Sequence, residues 1–450
     1  MTERTDADVV RSYHSIHSYH SATTHGGDHD RSRLVAFRPL DPTNRPAPFK
    51  VYPDYPFALL ADDDPLGRLL FFSLGVTRVS GSSYFRAAMS AGNLHPVEAY
   101  VIGDDGSVRH YHPLRHALTT LRPGSDSPGA ETLASEPVAI VLTGIPWRTA
   151  WKYGERGWRH LWWDSGAAVA NLLALSDSAR VRLDFDDDAV NALVGLDGRS
   201  EFALAVIHMS DAPLPEAVEP LEVRAPSLSR APIEFPLITE VQEATRQLSG
   251  RMSVYSTGRR PNLRDQEIED LILARGSTRL FRHETVPDRA LTEPLDVASD
   301  GAPLLEHLIA VHAVAGHPDA PRAVTQHLCY DQPLGGDSAY TVFHSTHLEK
   351  VLADVGPRGY RAALFESGLA AGRLQLAAFS LGLGATGLTF YDDEVKRAFD
   401  TDAACMLVTA VGVPDYRATP GGRPRHPTYL RGFDDLMGRL QVRMMQTRAT

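Results

Sequence analysis

"GERGWRHLWWDSG", residues 154–166, returns as "GPRGYRAALFESG", residues 356–368, in the same chain. The offset is 356 − 154 = 202 residues, and six of the thirteen positions are identical. Trp158/Tyr360, Trp163/Phe365 and Asp164/Glu366 differ but stay close in kind. The likeness continues downstream: "SGAAVANLLALSDSARVRLDFDDDAV" answers "SGLAAGRLQLAAFSLGLGATGLTFYDDEV". The second copy is three residues longer, and the surplus falls at "LGLGATG". Each copy opens as an Ala/Leu-rich helix with apolar residues at i, i+3, i+4 and i+7. Each then meets an apolar-aromatic stretch ending in Asp-Asp and a strand-like run, "EFALAVIHM" or "ACMLVTAVGV". Upstream, "VRHYHPL" and "HLCYDQPL" are further counterparts. A period near 200 marks a duplicated domain and not a solenoid. Residues 213–236 hold six prolines and read as an extended linker. We therefore expect two diverged α+β units, 1–225 and 226–450.

A chain of 450 residues is too long for one ordinary core and suits two. Its 43% apolar and 22% charged content are those of a globular protein. A net charge of −11 argues against general nucleic-acid binding, which needs a basic face, while leaving room for a local basic pocket. Two cysteines, Cys329 and Cys405, exclude a disulfide scaffold and suit a reducing cytoplasm. The first residues, "MTERTDADVVRSYH", lack the apolar stretch of a signal peptide, and no run reaches the length of a membrane span.

Each half carries a segment the other lacks. The first has "RAAMSAGNLHPVEAYVI", Arg86–Ile102. Ser90-Ala91-Gly92-Asn93 is small and flexible, permits close approach of backbone to a flat ligand, and offers hydrogen bonds. A plain turn leading into a strand would read the same. The matching "DVASDGAPLLEHLIAV" in the second half keeps small residues but loses the Ser-Ala-Gly-Asn order. The second half has "ARGSTRLF", Ala274–Phe281, after the helical "DQEIEDLIL". In an extended chain Arg275, Ser277 and Arg279 share one side, a set that suits a phosphate. Ordinary arginines at a solvated helix end are the other reading. The first half offers only a weak counterpart, "DRSRLVAF", Asp30–Phe37.

Arg-x-Ser-x-Arg after a helix, a Ser-Ala-Gly turn before "HPVEAYVI", and the late "LGLGATGLTFYDDEV" resemble the FMN-dependent nitroreductase superfamily. "SYHSIHSYHSATTH", "RAAMSAGNLHPVEAYVI" and "WKYGERGWRHLWWDSG" resemble its azoline dehydrogenase branch, which oxidises thiazoline or oxazoline rings of modified peptides to thiazoles or oxazoles. Met89 stands where that pattern usually has proline. The resemblance implies an antiparallel-rich sheet with flanking helices in each half. It also implies a homodimer fused into one chain: an intramolecular pseudo-dimer in which one composite FMN site survives. Arg275, Ser277, Arg279 and the Gly384–Thr389 stretch would come from the second half; Ser90, Ala91 and Asn93 would come from the first. Gly387, Leu388 and Thr389 would lie near the flavin ring. Arg423 and Arg425, in "GGRPRHP", resemble basic residues that close on the phosphate, though a charged loop would read alike.

Lys152-Tyr153 matches a Lys-Tyr pair of the azoline branch, and its second-half counterpart is Asp354-Val355. Aromatisation removes a proton from one ring carbon and a hydride from its neighbour. The flavin takes the hydride, so the protein must place the ring and handle the proton. A surface lysine beside an anchoring tyrosine is the bland alternative. His14, His17, His20, His25 and His29 have metal-like spacing, but their Ser/Thr/Gly-rich setting argues against a metal site. Trp158, Trp162 and Trp163 read as core packing, and "LGLGATG" follows a helix, unlike a dinucleotide fingerprint. The expected activity is azoline dehydrogenation on a peptide or peptide-like product, with oxygen reoxidising the flavin and a cyclodehydratase as partner. An NAD(P)H-dependent nitro or quinone reductase and a non-catalytic scaffold are the competing readings. Neither nucleic acid nor a membrane is expected as a partner.

Overall fold

The computed structural model describes residues 4–19, 40–125, 136–215, 221–247, 250–261 and 263–448. Two long helices form its centre, Gly157–Leu175 and Arg358–Ser380, and each begins within one copy of the repeated segment. Both lack a polar face because neither has a solvent side: every residue of the first and all but the last two of the second are buried. They pack on each other through glycine. A Cβ on Gly166 would stand 2.6 Å from the Leu369 nitrogen, and one on Gly368 would stand 2.7 Å from the Trp163 carbonyl carbon. Gly166 and Gly368 are the same position of the repeat, so the crossing is a pseudo-twofold contact. Trp158 and Tyr360, also one repeat apart, stack across it with centroids 5.7 Å apart.

Two buried ion clusters make the exchange reciprocal. Arg156 and Arg159 of the first copy pair with Asp392 of the second half at 3.2 and 2.9 Å. Arg358 and Arg361 of the second copy pair with Asp187 of the first half, both at 2.7 Å. The arginines repeat at 202; the acids repeat at 392 − 187 = 205, the same offset plus the three-residue surplus. Each half thus closes the other's clamp.

The sheets flank this centre. The first-half sheet runs in the order β1 (Phe57–Leu59), β6 (Ala117–Arg122), β5 (Val108–His112), β4 (Val97–Gly103), β7 (Pro137–Gly144), β9 (Phe202–His208), β8 (Arg180–Arg182). All its pairs are antiparallel. In the second half β10 (Phe281–Arg282), β14 (Ala404–Pro414), β12 (Tyr340–Thr346) and β11 (Glu306–Val311) form an antiparallel sheet, with β13 (Gly384–Leu388) added on β14. The fold is therefore α+β, two antiparallel sheets with flanking helices in tandem. Residue 225 lies in the extended stretch between the two sets of strands.

Both ends of the chain cross over. The N-terminal helix Asp6–Ile16 packs on second-half groups, with His14 Nδ1 3.2 Å from Tyr360 Oη and Arg11 bound to Glu349. At the other end β15 (Thr428–Tyr429) pairs parallel with β2 (Val76–Ser80), which is antiparallel to β3 (Ser83–Arg86). The helix Phe433–Arg448 follows, its Phe433 ring edge-on to Phe85 at 5.2 Å. Among the described residues no helix is long and apolar enough to cross a membrane.

Candidate active site

A cavity of about 950 Å³ opens between the halves. Its wall includes Ser90, Ala91 and Asn93, the Lys152-Tyr153 pair, Arg275, Ser277 and Arg279, and Gly387, Leu388 and Thr389. These come from four separate places in the sequence.

The turn is tight. Gly92 and Asn93 hold positive φ of 61° and 58°, which explains a glycine and an asparagine there. Asp164, in the first central helix, fixes it: Ser90 Oγ donates at 2.5 Å and the Ala91 N–H at 3.2 Å. Burial pushes the Asp164 carboxyl up to about 7 despite these two donors. Asn93 Oδ1 is bound to His95 Nε2 at 2.7 Å, so that side chain stabilises the turn itself.

Lys152 and Tyr153 end the helix Pro146–Tyr153 and lean on this turn. A Cβ on Gly92 would lie 2.7 Å from Tyr153 Oη and 3.1 Å from Lys152 Nζ. The Tyr153 ring stacks on His160 with centroids 4.2 Å apart. Lys152 stays open to the cavity, yet desolvation lowers its pKa, and the Arg279 and Arg45 cations lower it further. Burial, then Asp164, raises that of Tyr153, which keeps the phenol protonated.

The Arg-Gly-Ser-Thr-Arg loop runs beside β13, with a bridge from Ser277 to Ala385 and the Thr278 N–H donating to the Ala385 carbonyl at 3.0 Å. Buried Thr278 packs on Gly384, and the alternate positions 275, 277 and 279 line the cavity. They are not equivalent. Arg275 spends Nε and Nη2 on the Ala87 carbonyl, at 3.0 and 2.6 Å, and Nη1 on Gln375 at 3.2 Å. It ties the second half to the strand leading into the turn and keeps only part of its donor set for a ligand. No hydrogen-bond or ion-pair partner holds the Arg279 guanidinium among the described residues.

Arg423 and Arg425 depart from expectation. They do not line the cavity: Arg423 pairs with Glu269 and Asp270, both at 3.1 Å, and Arg425 is held by the Leu60 carbonyl and Asp62. Near neighbours take their place. Arg417 and Arg431 face the cavity, and among the described residues neither has a carboxylate partner. Tyr416 accepts from the Arg279 N–H at 3.1 Å and so presses this segment onto the phosphate-type loop. Spacing alone could not separate Arg417 and Arg431 from Arg423 and Arg425. Asp164 was more legible, since it recurs as Glu366 in the repeat.

The pseudo-equivalent place in the other half has different contacts. Glu366 accepts from the Leu304 N–H at 2.9 Å, as Asp164 does from Ala91, but its second donor is Tyr255 Oη at 3.0 Å. Burial pushes Glu366 up to about 8. The buried Tyr255, early in the second half, bridges to Val181 of the first. At an offset of 201, after the helix Pro65–Leu74, the chain reads Leu74-Gly75-Val76-Thr77-Arg78, so apolar residues stand at the Arg275 and Ser277 positions while Arg78 matches Arg279. This is a better counterpart than Asp30–Phe37, which lies outside the described residues. Asp354, opposite number of Lys152, is a surface partner of Lys350. His20, His25 and His29 also lie outside the described residues. His14 and His17 are buried against Tyr360 and Glu155, and no metal-holding cluster occurs among the described residues.

Residues 301–413 match the nitroreductase family model. Over that stretch of the second half the chain is similar to the nitroreductase family. A curated protein of Methanocaldococcus jannaschii, named "Putative nitroreductase MJ1384", is 28% identical over 127 residues, 25% of this chain and 62% of that one. The chain thus spans less than two thirds of that relative. A crystallised protein of Anabaena variabilis ATCC 29413, also named "putative nitroreductase", superposes with a TM-score of 0.72 at 24% identity. The superposition covers 90% of this chain and 99% of that one, and shows that both halves together adopt the fold of that protein.

Proposed function

We propose that this protein is an FMN-dependent dehydrogenase that oxidises thiazoline or oxazoline rings of a peptide or peptide-like product to thiazoles or oxazoles. Residues 1–225 supply the Ser-Ala-Gly-Asn turn and the Lys-Tyr pair, and residues 226–450 supply the phosphate loop and the glycine-rich strand. One observation carries the reading: Lys152 and Tyr153 touch the turn at Gly92 on the cavity side, and their counterparts do not.

The residues present suit FMN. Arg279 and Arg417, which have no carboxylate partner among the described residues, with Ser277 and the spare donors of Arg275, meet a phosphate's need for charge and hydrogen bonds. Small residues at 90–92 admit a flat ring, and a Cβ on Gly387 would meet nothing nearer than the Val408 carbonyl at 3.8 Å. FMN, when bound, supplies the hydride acceptor that oxygen later reoxidises. Lys152, with its pKa lowered, takes the ring proton in its neutral form; Tyr153, kept protonated, donates a hydrogen bond to the substrate. A cyclodehydratase forms the azoline, and the fused chain needs no second subunit. The competing reading, an NAD(P)H-dependent nitro or quinone reductase, uses the same cavity and leaves the Lys-Tyr pair without a task. Anaerobic mixing separates them: azoline bleaches the flavin under the first, and NAD(P)H alone does so under the second.

Two further outcomes are expected. Flavin released on denaturation should match protein one to one, because Leu74 and Val76 stand where a second phosphate loop would need arginine and serine; a ratio near two would overturn the single-site argument. Arg279→Ala should weaken FMN affinity about ten- to a hundredfold, the worth of a charged hydrogen bond, while Arg423→Ala should change it little. Equal losses in a flavin titration of both variants would restore Arg423 to the site.

A further inference from the structure

Arg45 is exposed beside the cavity at the end of a fixed turn and, among the described residues, has no carboxylate partner. It follows a short 3₁₀ turn, Pro42–Asn44, whose Asn44 is buried and exchanges two hydrogen bonds with the Ala231 backbone, at 2.6 and 2.9 Å. Asp41 caps the turn through the Thr43 N–H at 2.9 Å and accepts the Trp151 indole N–H on its carbonyl, also at 2.9 Å. The Arg45 guanidinium rests over the Trp151 ring at 5.6 Å. It lines the cavity beside Lys152, whose pKa its charge lowers. Among the described residues no carboxylate pairs with it. The chain has a net charge of −11, with 56 acidic residues available as partners. A second cation held beside a lysine, with neither neutralised, suits an anion that arrives with a ligand.

In the function proposed above the FMN phosphate falls to Ser277 and Arg279, which Tyr416 ties together, and to Arg417, so Arg45 is left for another anion. The turn side of the cavity is where the substrate ring meets Lys152. We propose that Arg45 is a specificity residue that takes a free carboxylate on the substrate ring. The substrate is then an azoline-4-carboxylate, a ring at the end of its molecule, and not a ring amidated within a chain. This rests on the dehydrogenase reading above. The carboxylate sits one bond from the carbon that loses its proton, which accounts for Arg45 and Lys152 being neighbours. Arg45 also offsets the negative charge that builds at that carbon as the proton leaves.

Binding tests this without turnover. Flavin-loaded protein is titrated calorimetrically with 2-methylthiazole-4-carboxylate and with its 4-carboxamide. Wild type should prefer the acid about ten- to a hundredfold, and Arg45→Ala should bring the ratio near one, with Arg45→Lys between them. Equal affinities in wild type, or an acid preference that survives Arg45→Ala, overturn the proposal. Bleaching by NADPH against NADH is compared in the same proteins. If Arg45→Ala changes that ratio and leaves the acid-to-amide ratio alone, the anion is a nucleotide phosphate and the proposal falls. Should the acid preference depend on Arg45 while no azoline bleaches the flavin, the anion site stands and the dehydrogenase reading fails.

Discussion

Lys152→Ala keeps its FMN and its fold and loses azoline turnover by about 10²–10⁴-fold, the usual worth of a general acid–base group. The side chain ends a helix at the cavity mouth and is open to solvent, so its removal leaves little core behind. Dithionite should reduce the variant's flavin as it does wild type, because that reduction draws no proton from an azoline. The pH dependence carries the sign. Neutral lysine is the competent form, so wild-type kcat/KM rises as pH passes the lysine pKa, which burial and the Arg279 and Arg45 cations place below the ordinary value. That limb should vanish in Lys152→Ala. Tyr153→Phe should lose less, since it removes a hydrogen bond and not the base. Asp354→Ala, at the equivalent position of the other half, should bleach at the wild-type rate. Wild-type single-turnover rates in Lys152→Ala would remove the pair from the chemistry.

Asp187→Ala and Asp392→Ala should each destabilise the protein by about 3–5 kcal/mol, because each leaves two arginines buried without their shared carboxylate. Arg358 and Arg361 are each 1% exposed, Arg156 4% and Arg159 0%, so water cannot replace the lost partner. Urea denaturation of flavin-free protein measures the loss. The two variants should then part company in function. Arg156 lines the cavity, so Asp392→Ala should also weaken flavin or substrate binding. The Asp187 cluster lies around Thr245 and Phe185, away from the cavity, so Asp187→Ala should bind flavin normally below its melting range. Losses under 1 kcal/mol in both would show that the clusters do not hold the halves together.

Duplication is a property of order in the chain, so it was legible without a structure. The 202-residue offset, the paired central helices and the one-sided segments all followed from comparing the chain with itself. Helix ends around Asp265–Ala274 and the alternation of 275, 277 and 279 beside β13 were local matters as well, decided by spacing. What faces what was not local. Arg423 and Arg417 are six residues apart in one irregular segment; the first found Glu269 and the second faces the cavity, a choice made by chain path and not by residue type. Arg45 looked like any surface arginine until Asn44 met Ala231 and Trp151 met Asp41, contacts across 187 and 110 residues.

From the sequence alone came two α+β halves, their unequal loss of site elements, and which residue types could serve a flavin and a proton. Periodicity, glycine placement and repeats are written along the chain, where neighbours within a few residues decide them. Only the tertiary structure showed that each half's arginines are neutralised by the other half's aspartate. Only it showed that Glu366 is hydrogen-bonded to Tyr255, and which arginines find no carboxylate among the described residues. Charge pairing acts over a few ångströms between groups up to 363 residues apart, so it is settled by which surfaces the fold brings together.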